Sequence, residues 1–322
     1  MATAEQLKSL IRSHFSDDAE RFYSVSLQLA AGEARQGHAA LAHDLREIID
    51  SERKKAGPRL LSFPADLKGL VLSTEPLTPI SAMVVPATIR SRLDRIIHEY
   101  RQQNKLKQHG LVHRRKILLV GPPGTGKTMT AEVLAKELNL SLNTIQVDRL
   151  VTKFMGETGA KLRQIFDLMQ QAHGVYLFDE FDAIGGDRSH DNDVGEIRRV
   201  LNAFLQFIEQ DTSDSLIIAA TNNPGLLDHA LFRRFDDVLH YERPSVDQVK
   251  PLIENVLGTF IAPRFSWKRV IDACNGLSHA EIDHACRDAI KSVVLSDKKH
   301  VEACELIAAI ADRQNACGRK VA

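Results

Sequence analysis

Apolar positions recur at helical spacing in three stretches of the first 55 residues. Leu7, Leu10 and Ile11 share one face of the first stretch. Asp17-Asp18-Ala19-Glu20 has the form of a capping box, an acceptor followed three residues later by glutamate. Phe22, Val25 and Leu29 mark a second helix, and Gly37 is a natural stop. Leu41, Leu45, Ile48 and Ile49 form a third stripe. Short stripes of this kind bury one another, which predicts a small helical bundle over residues 1–55.

The pattern then breaks. Arg53-Lys54-Lys55 runs into Ala56-Gly57-Pro58, and Pro64, Pro76 and Pro79 punctuate the stretch up to Ile80. Residues 56–80 read as a linker or extended strap, its basic cluster a solvated face rather than a nucleic-acid contact. From Pro86 onward, short apolar blocks alternate with helical periods. Helices are predicted over 87–108, 128–138, 161–171 and 194–209. Strands are predicted over 117–120, 142–146, 175–179, 216–221 and 238–241. Such strands, separated by helices, form a parallel sheet covered on both faces. Past Pro244 the strand pattern ends, and helices are predicted over 246–259, 267–274, 279–295 and 301–316. The fold class is therefore α/β: a parallel sheet flanked by helices over 81–243, a C-terminal helical domain over 244–322, and the N-terminal bundle.

Composition narrows the class. Apolar residues make up 43% of the chain, enough to build a core and exclude overall disorder. Lys and Arg (42) balance Asp and Glu (42), which argues against a protein that coats nucleic acid. No apolar run approaches the ~18 residues that span a bilayer. Glu5 and Gln6 stand where a secretory signal needs apolar residues, so a cytoplasmic location is expected. Cys274, Cys286, Cys304 and Cys317 show no zinc or disulfide spacing and read as buried or half-buried thiols in a reducing compartment.

Candidate chemistry begins at Gly121-Pro122-Pro123-Gly124-Thr125-Gly126-Lys127-Thr128, which matches G-x-x-x-x-G-K-[ST]. Phosphates need converging N–H donors, and glycines let backbone approach that closely. The helix after the loop adds positive partial charge at its N-terminus. Lys127 reaches β- and γ-phosphates in this pattern, and the Thr128 hydroxyl ligates magnesium. Val175-Tyr176-Leu177-Phe178 is a buried strand that ends in Asp179 and Glu180. Ligands of open α/β sheets bind at that strand end. Asp179 suits the metal, and Glu180 suits the general base that activates water. Leu216 to Thr221 ends likewise in Asn222 and Asn223. Asn222 is the first choice to orient the water or touch the γ-phosphate, and Asn223 the second. The alternative is a turn-forming Asn-Asn-Pro.

Together these residues resemble the AAA+ ATPases, and within them the AAA subgroup that remodels proteins. The likeness covers about residues 80–315. It rests on the phosphate loop, Phe178-Asp179-Glu180-Phe181-Asp182, Ala220-Thr221-Asn222, and Asp228-His229-Ala230-Leu231-Phe232-Arg233-Arg234-Phe235-Asp236. The last stretch is similar to the second region of homology, which implies that Arg233 and Arg234 point into a neighbouring subunit's nucleotide site. Two surface arginines after a helix are the alternative. Lys153-Phe154-Met155-Gly156-Glu157-Thr158 resembles a first pore loop, which implies that Phe154 and Met155 grip a polypeptide substrate. A staple at a helix start is the alternative. Gly185 to His190 falls where a second pore loop lies. Gly276-Leu277-Ser278-His279-Ala280-Glu281-Ile282 resembles the lid region that contacts base and ribose, with His279 where glycine is usual.

The resemblance implies ATP and Mg2+ as cofactors, with nucleotide contacts from Gly121, Pro122, Pro123, Gly124, Thr125, Gly126, Lys127, Thr128 and Met129. It implies a homo-oligomer, by likeness a hexamer, and an N-terminal domain that recruits substrates or adaptors. The organisation is similar to small bacterial AAA ATPases, some paired with a subtilisin-like serine protease. The expected activity is ATP-dependent remodelling of proteins. A DNA-directed motor or loader and an ATP-regulated assembly switch are the alternatives. Neutral charge and Phe154-Met155-Gly156 count against the first.

Overall fold

The computed structural model describes residues 4–15, 19–55, 67, 69–150, 155–181, 193–223, 225 and 232–316. The chain divides into two compact units, Met1–Arg59 and Leu60–Ala322.

The first unit contains α1 (Ala4–Phe15), α2 (Ala19–Arg35) and α3 (Ala39–Lys55). Val25, Ala30 and Ile49 are buried, but Leu7, Ile11, Leu41 and Ile48 remain exposed. The stripes therefore pack less completely than their periodicity predicts. Three short helices enclose too little volume to cover every apolar position. Asp17 and Asp18 of the expected capping box lie outside the described residues.

The second unit is built on a six-stranded sheet. Its strands are β1 (Val71–Thr74), β2 (Lys116–Val120), β3 (Leu142–Ile145), β4 (Val175–Phe178), β5 (Leu216–Thr221) and β6 (Asp237–His240). Their order is β1-β3-β4-β5-β2-β6. Five strands run parallel, while β1 pairs antiparallel with β3 in the register Val71↔Ile145. β1 lies inside the stretch read as a linker. Within it Val71 is buried while Leu72 and Thr74 are exposed, and the apolar run Leu70-Val71-Leu72 is too short to stand out among the neighbouring prolines.

Strand residues alternate between two core layers, as the period of two requires. Leu118 and Val120 of β2 face a layer with Phe166 of α8 (Met155–Gln171) and Phe204 of α9 (Asp193–Gln210). Ile117 and Leu119 face the opposite layer, with Leu93 of α4 (Ala87–Arg101) and Leu134 of α6 (Lys127–Leu138). Both faces of the sheet are thus covered, and the α/β class holds. The helix expected over 87–108 is two: α4 stops at Gln102, and α5 (Gln103–Gln108) has no buried residue. No glycine or proline marks that break. α8 starts earlier than predicted, because Gly156 and Gly159 weaken the helical pattern at its first turn. A short α7 (Val147–Leu150) joins β3 to the segment before α8.

The C-terminal helices are α10 (Val246–Leu257), α11 (Trp267–Ala273), α12 (His279–Leu295) and α13 (Ala303–Ala316). Leu252, Ile253, Val270, Ile282, Val293 and Ile310 share one core there. α12 opens with a capping box: the Ser278 hydroxyl accepts from the Glu281 N–H, and the Ser278 N–H donates to Glu281 Oε2 at 2.6 Å. Cys274 and Cys286 are buried in this core, and desolvation pushes both thiols up to about 12. They pack as small apolar groups. Cys304 is exposed, and Cys317 lies outside the described residues.

Candidate functional site

β4, β5 and β2 are adjacent and parallel, so the chain leaves all three at one edge of the sheet. Residues just beyond them, far apart in sequence, meet there. After β2, the Gly121 N–H donates to the Thr221 carbonyl at 3.2 Å, and the Tyr241 N–H donates to the Val120 carbonyl at 2.7 Å. A Cβ on Gly121 would collide with the Tyr241 backbone, so the turn requires glycine. The Thr125 hydroxyl donates to the Pro122 carbonyl at 2.8 Å and closes the loop. α6 then begins, and the N–H groups of its first turn have no partner inside the helix. Together, loop and helix start make a cradle of donors for an anion.

Lys127 crosses this cradle. Its Nζ donates to the carbonyls of Gly121 and Pro122 and to Asn222 Oδ1, each at 2.8 Å. Lys127 is thereby held at 6% exposure, beside the place where a polyphosphate fits. Thr128 Oγ1 donates to Asp179 Oδ2 at 2.7 Å, while Asp179 Oδ1 accepts the Glu180 N–H at 2.9 Å. These hard oxygen donors fit Mg2+. Two ligands at right angles on its ~2.0–2.1 Å bonds lie about 2.9 Å apart, close to the Thr128–Asp179 separation. Glu180 has φ 50°, a left-handed conformation that is uncommon outside glycine and asparagine. Its side chain is exposed and lines the same cleft.

That cleft encloses about 1080 Å³, room for a nucleotide. The loop, Met129, Asp179, Glu180 and Asn222 form its floor. Residues 77–85 form one wall, pinned to α6 where the Leu77 N–H meets Glu132 Oε1 (3.4 Å) and the Ile80 N–H meets Glu137 Oε1 (3.3 Å). α10 and α12 form the roof, through Asn255, His279, Ala280 and Arg287 among others. Burial lowers the His279 pKa, against a smaller upward pull from the Val84 backbone. Behind the floor, the Thr130 and Tyr241 hydroxyls lie 2.5 Å apart, and burial pushes the Tyr241 phenol up to about 12.

The roof rests directly on the phosphate loop. The Ala280 N–H donates to the Gly124 carbonyl at 3.0 Å. Gly124 has φ +74°, and a Cβ there would sit 2.8 Å from Ser278 Oγ. Gly124→Ala therefore adds left-handed strain of ~1–2 kcal/mol and pushes the roof away. Nucleotide affinity is expected to fall about tenfold, since 1.4 kcal/mol is one decade, as calorimetry would report. Unchanged affinity would show that the loop and roof move independently.

Most of the candidates read from sequence gather in this cleft, and a few do not. Gly121 to Met129, Asp179, Glu180 and Asn222 converge on one site. Asn223 is exposed and does not line the cleft. Phe154 lies outside the described residues, as do residues 185–190. Met155 opens α8, and its side chain is not described. Arg233 and Arg234 do not line this chain's own cleft. Sequence reasoning missed the 77–85 wall, Asn255 and Arg287. Arg287 pairs with Asp283 at 2.7 Å, a helical i,i+4 contact with no signature of its own.

A family described as "ATPase family associated with various cellular activities (AAA)" matches residues 117–243. An uncharacterised AAA family ATPase, y4kL of Sinorhizobium fredii, is 34% identical over 322 residues, 97% of this chain and 96% of that protein. A proteasome-activating nucleotidase of Sulfurisphaera tokodaii is 32% identical over 63% of this chain and 54% of its own length. The ATP-dependent zinc metalloprotease FtsH of Mesoplasma florum is 29% identical over 69% of this chain and 35% of its own length. The chain thus spans one relative nearly end to end and about half or less of the other two.

Proposed function

The chain belongs to the AAA family of ATPases, and from that premise we propose that this ATP-hydrolysing enzyme remodels proteins as a ring of identical subunits. The observation that carries the proposal is the partition of charge. Lys127, Thr128, Asp179, Glu180 and Asn222 share one cleft, whereas Arg233 and Arg234 lie off it. A site that transfers phosphoryl groups benefits from guanidinium groups that offset charge on the γ-phosphoryl oxygens, and a neighbour is the natural donor here. Head-to-tail contacts of that kind close into a ring.

In this proposal, the loop from Gly121 to Thr128 and Met129 holds ATP. Thr128 and Asp179 would hold magnesium, which would supply charge neutralisation to the phosphates. Glu180 takes the proton of the attacking water, Asn222 orients that water, and Arg233 and Arg234 enter from the next subunit. Phe154 and Met155 face the substrate polypeptide. No described helix is long and apolar enough to cross a membrane. Partners are further copies of the chain, a protein substrate and, by resemblance to small bacterial AAA ATPases, a subtilisin-like serine protease. Relatives named for proteasome activation and for ATP-dependent proteolysis support protein as the substrate class.

ATP turnover with and without an unfolded protein tests the proposal, with duplex DNA as the competing arm. Stimulation by the protein supports it, and stimulation by DNA alone overturns it. Phe154→Ala sharpens the test. Apolar grip is non-directional, so the loss should be general across substrates. Processing of a fluorescent unfolded protein is expected to fall about tenfold more than basal hydrolysis does. Equal losses in both would favour packing at the start of α8.

A further inference from the structure

The turn from Phe232 to Asp236 precedes β6, and four of its five side chains are committed to their own subunit. Phe235 is buried in the core layer that contains Phe166 and Phe204, and Phe232 packs against the same layer. Asp236 Oδ2 accepts the N–H groups of Arg115 and Lys116, both at 2.9 Å, and the Asp236 N–H donates to the Lys116 carbonyl at 2.8 Å. Those bonds fasten the turn to the start of β2, the strand whose other end carries the phosphate loop. Arg234 donates from Nε to the carboxylate of Glu209, near the C-terminal end of α9. Arg233 is exposed and makes no hydrogen bond or ion pair among the described residues.

We infer that the two adjacent arginines do different work: Arg233 is presented to the neighbouring subunit's phosphates, and Arg234, held by Glu209, is a positioning residue that aims it. This deepens the shared-site proposal and rests on it. A guanidinium that keeps its carboxylate partner brings compensating negative charge wherever it goes. It would therefore stabilise an anionic transition state poorly. Arg233 carries no such partner among the described residues, and its neighbours on both sides are anchored. Its exposure on a tethered turn is the preorganisation that electrostatic catalysis needs, because little reorientation remains when charge develops.

The test uses the full-length chain, with kcat, KM for ATP, nucleotide affinity and melting temperature measured for each variant. Arg233→Ala should lower kcat about 10³-fold with KM nearly unchanged, the size expected for a lost finger. Arg234→Glu and Glu209→Arg should each lower kcat about tenfold or more through misplacement alone. The reversed pair, Arg234→Glu with Glu209→Arg, should regain most of that loss, because an ion pair of opposite polarity holds the same turn. A reversed pair as inactive as Arg233→Ala overturns the division of work, because it shows that the Arg234 guanidinium itself is required.

Glu209→Gln gives a second answer should the reversed pair fail to fold. Loss of the anchor lowers turnover if Arg234 positions the turn. Release of a competing carboxylate raises it if Arg234 is itself the finger, and that result also overturns the inference. Mixed rings separate this inference from its foundation. Arg233→Ala subunits mixed with Lys127→Ala subunits should regain turnover. Parent-level turnover in Arg233→Ala alone overturns the inference, whereas parent-level turnover in the Arg233→Ala/Arg234→Ala double variant removes the shared site altogether.

Discussion

Lys127→Ala is expected to lower ATP affinity at least 100-fold while leaving affinity for adenosine or AMP within a few-fold of the parent. The magnitude comes from the contacts. A hydrogen bond to a charged group contributes about 1.5–3 kcal/mol, and a lysine in this loop reaches two phosphates. Loss of both amounts to ~3–6 kcal/mol, or two to four decades in dissociation constant. The ammonium also bridges the carbonyls of Gly121 and Pro122 to Asn222, so its removal loosens the loop as well. AMP separates the two effects. It lacks the β- and γ-phosphates that Lys127 would reach, and a collapsed cleft would weaken it too. Calorimetric titration with ATP, ADP and AMP reads all three, and ATP affinity at the parent level would refute the phosphate-loop assignment.

The contrast between what the sequence displays and what it hides has a physical basis. β2, β4 and β5 are buried on both faces, so each needs an uninterrupted apolar run, and each could be read as one. β1 sits at the sheet edge with one buried residue, and its Val71-Leu72-Ser73-Thr74 has neither a long apolar run nor an apolar/polar alternation. The helices over 279–295 and 194–209 were legible because apolar residues recur along each at helical spacing. The break between α4 and α5 was not, since Gln102, Gln103 and Asn104 are polar on either reading. In the N-terminal unit, periodicity found helices but overstated their burial, as Leu7, Ile11, Leu41 and Ile48 show.

The site obeys the same division. The phosphate loop is contiguous, so its chemistry is written in one motif. Asp179 and Asn222 were legible because strands of a parallel sheet end at one edge, which brings Asn222 to Lys127 across 95 positions. The 77–85 wall and Arg287 were not. Their roles come from how segments pack over the sheet, and neither contains a residue pattern that chemistry alone demands. The geometry of Lys127 with Asn222, and of Thr128 with Asp179, is therefore the structure's own contribution to the account. It attaches a distance to Lys127, Asn222, Thr128 and Asp179.

Glu180→Gln is expected to lower kcat by about 10² to 10⁴, the usual yield of a general base, with ATP affinity close to the parent. The substitution isolates the proton-accepting function from everything else the residue does. Glutamine matches glutamate in shape, so the cleft keeps its volume. The backbone N–H that donates to Asp179 Oδ1 is untouched, and the Thr128–Asp179 pair stays in place. The left-handed φ of 50° costs either side chain about the same, so strain does not change between the two proteins. What remains is the loss of a carboxylate, exposed beside the loop, that can accept a proton from water. The variant should bind ATP, fail to cleave it and hold the assembly in its nucleotide-loaded form. Single-turnover quench with labelled ATP measures cleavage, and light scattering measures the assembly. Cleavage at the parent rate, with intact binding, would remove Glu180 from the chemistry and direct the search to another carboxylate of the same strand end.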